Sequence, residues 1–240
     1  MKLPKLLIAA LLLLASPNTA FANFTVKPAV IRIEERDGRF ETEFQITNVR
    51  GAPLALEIEV EERVFGITGG EERVDAEDDF LIFPIQMIID PRDTQTVRVS
   101  YLGDIADTSR SFRLHVTEVL APLSEDETDS LTVRTNFRFS PALHVIPEGS
   151  EADLRVEAMT SETGQDGKTE LVLAVRNDGT RFAYLSEKQI EIGGMTITSE
   201  ELTKAMEPRP VGPGVVMTLR VPREDAVSLV GKKALVVDKN

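Results

Sequence analysis

From Phe24 onward the chain alternates between apolar and polar positions. "FTVKPAVIRIE", "ETEFQITN", "LALEIEVEERVFG", "FLIFP", "QMIIDP", "TQTVRVSY" and "SFRLHVTEV" come one after another with apolar side chains at about every second residue. Successive Cβ atoms of a strand point to opposite faces of a sheet, so a period of two predicts half-buried β-strands. "SLTVRTNFRF", Ser130 to Phe139, shows the pattern most plainly. It puts Leu131, Val133, Thr135, Phe137 and Phe139 on one face and Thr132, Arg134, Asn136 and Arg138 on the other. The preceding "APLSEDETDS" is strongly acidic, so this strand starts in solvent and then presents a row of apolar side chains. That row is either ordinary core or an interaction surface, and the pattern alone leaves both open.

Turn signals separate the strands: Asp37-Gly38, Asn48 with Gly51 and Pro53, Gly69-Gly70, Asp90-Pro91 and Gly103-Asp104. The pattern then breaks at "IPEGSEAD", where Pro147 to Ser150 mark a domain boundary. Beyond it, "DLRVEAMTSE", "TELVLAVRND", "AYLSEKQIEIGG", "MTITSE", "VVMTLRVP" and "KKALVVDK" predict a second, smaller series of strands, with "SEELTKAM" as one helical turn. Short strands at this spacing predict an all-β protein of two sandwich domains, residues 23–146 and 147–240. The length allows two cores of ~100 residues each.

The first 22 residues do not fit this scheme. "MKLPKLLIAALLLLASPNTAFA" has a basic start (Lys2, Lys5), an apolar stretch from Leu6 to Ala15, and an Ala20-Phe21-Ala22 cleavage site. These are the parts of a secretory signal peptide. Pro17, Asn18 and Thr19 end the apolar run before the ~20 residues a membrane span needs. The expectation is export, with cleavage after Ala22, into an oxidising compartment. The chain has no cysteine, so burial and not disulfides must hold it together. A net charge of −13 argues against nucleic-acid and anionic membrane partners.

Candidate chemistry is sparse. His115 and His144 are the only histidines and both fall inside predicted strands, where structural or surface roles are expected. No nucleophile elbow, zinc-protease helix, phosphate loop or dinucleotide fingerprint occurs. The acidic "GGEERVDAEDDF", Gly69 to Phe80, lacks the spacing of a calcium loop and reads as a solvated hairpin or loop. No metal, cofactor or catalytic residue is assigned. Two rival classes remain: an exported hydrolase would need a convergent acid, base or nucleophile, and an adhesin or carbohydrate-binding module would need clustered exposed aromatics. The chain has no tryptophan and two tyrosines, Tyr101 and Tyr184.

"FPIQMIIDPRDTQTVRVSYLGD" and "SRSFRLHVTEVLAPL" resemble the signature region of the periplasmic pilus-assembly chaperones, the PapD-like partners of outer-membrane ushers. Pro84, Pro91, Arg98, Phe112, Glu118 and Pro122 hold the motif positions; Ile85 replaces the second proline of the usual pair, and Leu120-Ala121 intervene before Pro122. "VKPAVIRIEERDG", "FQITNVRGAPLALEIEVEER" and "VRNDGTRFAYLSE" extend the likeness over most of the chain.

The resemblance implies two immunoglobulin-like domains in a boomerang arrangement and a non-enzymatic, cofactor-free function. Such chaperones bind pilus subunits in the periplasm and deliver them to the usher. The family lends its last first-domain strand to the open groove of a subunit, the mode of β-strand addition. "SLTVRTNFRF" holds that place, making Leu131, Val133, Thr135, Phe137 and Phe139 the implied donor row. Basic residues in the cleft between domains grip the subunit's terminal carboxylate. Matching positions assign one of these to Arg32. The second usual position is Ala142, which points to the family's archaic branch, where Arg113, or less favourably Arg138, supplies the charge.

Overall fold

A computed structural model describes residues 23–67, 70–104, 106–119, 136–206 and 209–239. The expected signal peptide, the motif position Pro122, and Leu131, Val133 and Thr135 of the donor row lie outside the described residues.

The first eleven strands are β1 (Phe24–Lys27), β2 (Val30–Arg36), β3 (Arg39–Asn48), β4 (Leu54–Phe65), β5 (Glu71–Asp75), β6 (Phe80–Phe83), β7 (Gln86–Ile89), β8 (Thr94–Tyr101), β9 (Arg110–Glu118), β10 (Arg138–Phe139) and β11 (Ala142–Ile146). One layer joins β1, β3, β8 and β6; the other runs β5, β4, β9, β11, β2, with β7 added on β4 and β10 on β9. Alternation sets which side chains close the space between them. Along β3, Phe40, Phe44 and Ile46 are buried while Glu41, Glu43 and Gln45 are exposed; Val97 and Val99 of β8 and Phe112, Leu114 and Val116 of β9 meet them from either side. Phe80, Tyr101 and Phe112 add edge-on and tilted ring contacts at one end of this core.

"FTVKPAVIRIE" does not form one strand. Both halves alternate, but the chain breaks at Pro28 and changes layer: β1 pairs with β3, Lys27 opposite Gln45, while β2 runs parallel to β11, Arg32 opposite His144. The acidic stretch forms the hairpin, of the two readings open to it. Glu71–Asp75 is a strand on the edge of β4 with every residue exposed, so no periodicity announces it. Charge along such an edge discourages pairing with other chains. Among the described residues no group of three or more His, Asp or Glu converges as a metal site.

The second set is β12 (Leu154–Thr163), β13 (Thr169–Asn177), β14 (Lys188–Ile192), β15 (Met195–Ile197), β16 (Val216–Pro222) and β17 (Ala234–Asp238), in two sheets ordered β12-β13-β16 and β15-β14-β17. Leu171, Leu173, Val175, Ile190, Ile192, Met217 and Leu219 form the core between them, separate from the first. Helix α1 (Ser199–Lys204) is the expected helical turn. Thr198 and Glu201 satisfy each other's backbone N–H groups at its start, a capping box. A second short helix, α2 (Ala226–Leu229), is too brief to show a period in the sequence; it buries Ala226 and Leu229 and leaves Val227 in solvent. The molecule is thus all-β with two sandwich cores.

Candidate functional site: an uncovered strand edge ending in a basic cleft

β9 pairs with β10 and β11 in one continuous register. Arg138 lies opposite Thr117, Phe139 opposite Val116, and Ala142 opposite Arg113. Pro141 separates the two short strands because it has no N–H to give, although its carbonyl still accepts from the Leu114 N–H at 3.2 Å.

The two pieces differ on their other side. β2 covers β11 from Ala142 to Ile146. Continued in the same register, the N-terminal strand would cover β10 with Val26 and Lys27, but those residues belong to β1 and pair with β3. Among the described residues no strand lies on the outer side of β10. Among the described residues the switch of layer at Pro28 therefore leaves no strand beside it, and bare N–H and C=O groups on such an edge invite another strand. Of the two described residues of the expected donor row, Phe137 is half-buried and packs on the domain's own core, and Phe139 is 37% exposed on the uncovered piece.

The uncovered edge ends at Arg113. Its Nη1 donates to the Ser140 carbonyl at 3.1 Å, whereas its Nε is buried without a partner. Among the described residues it has no carboxylate. Burial, followed by the nearby Arg63, lowers its pKa, the direction expected of a cation short of compensation. Arg32 lies two strands away on the same face of the sheet, and its Nη2 meets Glu187 Oε1 of the second domain at 3.2 Å. A third guanidinium, Arg63, is buried but held bidentately by Glu71 at 3.0 and 2.7 Å and set over the Phe65 ring. That clamp also pulls the Glu71 carboxyl below its usual range.

Between these cations sits His144. It is fully buried, stacks on Phe182 with 3.8 Å between ring centroids, and hydrogen-bonds through Nδ1 with Ser111 Oγ (3.0 Å) and through Nε2 with Tyr184 Oη (2.8 Å). Burial, reinforced by Arg32, Arg63 and Arg113, lowers its pKa to about 3, so it is neutral near pH 7. Burial likewise raises the Tyr184 hydroxyl. Phe182 and Tyr184 come from the chain after β13, which is tied to the first domain by Ser109 N–H to the Thr180 carbonyl (2.8 Å), Phe182 N–H to Ser109 Oγ (2.8 Å) and an Arg181–Glu34 ion pair (3.4 Å).

Of the basic residues singled out in sequence, Arg32 and Arg113 share this cleft. Arg138 does not join them: it donates to Thr117 Oγ1 and Glu59 Oε2 at 2.9 and 2.7 Å, four residues along the strand from Ala142. His115 is buried, between Glu61 and Ser140. Sequence reasoning missed Arg63, which β4 of the first domain supplies, and Phe182, Tyr184 and Glu187, which reach the site only because the domains meet; the signal available was Tyr184, one of two tyrosines in the chain.

No family model matches the chain, and no curated protein gives a significant sequence match. Solved structures do match in fold. A chain of the CsuC–CsuE chaperone–tip adhesion subunit pre-assembly complex, from the archaic chaperone-usher Csu pili of Acinetobacter baumannii, superposes with a TM-score of 0.56 at 16% identity, over 90% of this chain and 98% of that one. A chain of the Salmonella enterica complex of SafA pilin with the SafB chaperone gives 0.56 at 14%, over 92% and 98%. The E. coli chaperone DraB gives 0.51 at 12%, over 90% and 96%. Over about nine-tenths of its length, this chain has the two-sandwich fold of the chaperone-usher pilus-assembly chaperones.

Proposed function

We propose that this protein is a periplasmic chaperone for pilus subunits, one that completes a subunit's sandwich with its own strand and passes the subunit to an outer-membrane usher. The observation that carries this reading is the uncovered edge of β10 running into Arg113, a half-buried cation without a carboxylate among the described residues. A strand laid along that edge gains main-chain hydrogen bonds. If its C-terminal carboxylate is to reach Arg113 and Arg32, it must run toward Pro141 and so lie parallel to β10, as β2 already lies parallel to β11. Guanidinium groups favour a carboxylate through paired, charge-assisted bonds. Phe137 being engaged with the domain's own core, Phe139 and each Val or Leu of the donor row buried in a subunit's groove contribute ~1.5–3 kcal/mol apiece. No chemical step and no cofactor enters this function, and complexes of the matching solved structures with a tip adhesion subunit and a pilin support it.

Co-expression with a candidate pilus subunit tests the reading: a one-to-one complex should purify from the wild type. Arg113→Ala should lower affinity by about one to two decades, from loss of a charged hydrogen bond worth about 1.5–3 kcal/mol. Phe139→Glu should abolish capture by putting a charge in an apolar groove. Both variants should keep the wild-type thermal midpoint. Undiminished capture by both would refute the proposed site.

A further inference from the structure

Glu187 meets one of the two arginines of the proposed anchor. It sits in a single 3-10 turn, Leu185–Glu187, directly after Tyr184. The backbone there is fixed: Leu185 is fully buried in the second core, the Glu187 N–H donates to the Tyr184 carbonyl at 3.0 Å, and the Glu187 carbonyl accepts from the Lys239 N–H at 3.2 Å. The side chain is 60% exposed and reaches across the domain junction to Arg32, itself 37% exposed, its one ion-pair partner among the described residues. Besides Arg63, which Glu71 clamps, the cleft thus holds two cations in unequal states: Arg113 without a described carboxylate, Arg32 with one supplied by the chain itself.

We infer that Glu187 is an internal competitor, an acidic side chain that fills half of the carboxylate anchor until a ligand displaces it. The inference rests on the anchor reading above and concerns how that anchor is regulated. An exposed ion pair of this kind is weak and yields readily. An entering carboxylate meets Arg113 first, because no described carboxylate competes there, and then takes Arg32 as Glu187 swings to solvent. On release, Glu187 returns and satisfies Arg32 again. Its effect is to weaken capture slightly and to ease handover, since the cation is never left bare. The opposite role, a strut between domains, makes a contrary prediction. On that reading, removal of Glu187 would loosen the cleft and weaken capture, and so would removal of the neighbouring Arg181–Glu34 pair; on the competitor reading the Arg181–Glu34 pair, which touches neither Arg32 nor Arg113, has no effect on capture.

The test is a titration of the full chain with N-acetylvaline and with its amide, monitored through the arginine Nε–H signals by NMR. The wild type should bind the acid and not the amide, moving the signals of Arg113 and Arg32. Glu187→Gln should tighten binding of the acid about two- to fivefold, the range of an exposed ion pair, while Arg181→Gln leaves it unchanged. Unchanged or weakened binding by Glu187→Gln, with the acid still preferred to the amide, would overturn the competitor and leave the anchor standing. Equal response of the wild type to acid and amide would overturn the anchor itself, and the competitor with it.

Discussion

Two buried asparagines invite comparison. Asn48 ends β3 and Asn177 ends β13, each fully buried and each opposite the first residue of the neighbouring strand, Phe24 or Leu154. Each side-chain carbonyl accepts from the N–H two residues on, at Arg50 (2.9 Å) or Gly179 (3.0 Å). Each amide donates to the carbonyl four residues on, at Ala52 (2.9 Å) or Arg181 (2.7 Å), and to a carbonyl distant in the chain, at Ile89 (3.0 Å) or Val211 (2.9 Å). The same corner therefore closes both sandwiches, but the chain leaves the two corners in different directions. After Asn48 it turns back onto its own domain, where Arg50 pairs with Glu118. After Asn177 it crosses to the other domain and delivers Arg181, Phe182, Tyr184 and Glu187 to the cleft. A folding device in one domain has become, in the other, the mount for an interface.

Removing each asparagine in turn should have the largest effect. Asn48→Ala and Asn177→Ala should each cost about 3–5 kcal/mol, because several buried N–H and C=O groups lose their partner together. Hydrogen exchange should separate the two: Asn48→Ala should expose amides of the first domain, and Asn177→Ala those of the second domain together with Ser109 and Phe182 at the junction. Identical exchange patterns would mean that the two corners are not independent.

A smaller effect is expected at the residue two positions on. A Cβ at Gly179 would lie 2.3 Å from the Glu151 carbonyl and 2.5 Å from the Asp153 nitrogen, so the linker between domains must shift; Arg50, at the matching place, carries a full side chain. Gly179→Ala should cost about 1–3 kcal/mol in urea unfolding, as overpacking does. A neutral result would show that the linker gives way freely.

The smallest effect concerns the interface alone. Because the folded pKa of His144 is depressed from 6.5 to about 3, the unfolded chain binds the extra proton between those values. The stability that neutral His144 contributes is complete above pH 6.5 and is lost as pH falls toward 3. Between pH 6.5 and 5.5 the loss should be about 1 kcal/mol, before most carboxylates titrate. His144→Gln should flatten the profile in this window; an unaltered slope would assign the acid sensitivity elsewhere.

The sequence was legible where one face of a strand is wet. Phe44 and Ile46 against Glu43 and Gln45 announce a sheet because water touches one side only. The same logic fails for His144: its neighbours Leu143 and Val145 face the first core, and its own face reads as solvent-exposed until the second domain covers it. It fails for Glu71–Asp75, where both faces are wet, and for Phe24 to Glu34, where alternation survives a change of sheet. Of the proposed anchor, Arg32 and Arg113 were found from the family resemblance and not from periodicity. Glu187 was invisible because its meaning depends on a residue 155 positions away.

The parallel pairing of β2 with β11 works as a ruler. The space beside β10 is in line with β2, so the start of β2 at Val30 is a fixed stop for any strand that enters along the same track. Under the proposed function, a guest is then measured from its last residue backward, by where its chain ends and not by which side chains precede the end. Alignment of this kind does not depend on a particular guest sequence. A single chaperone with this stop can hold subunits of differing sequence in one register, provided that their final strands are of similar length and carry an unmodified terminus.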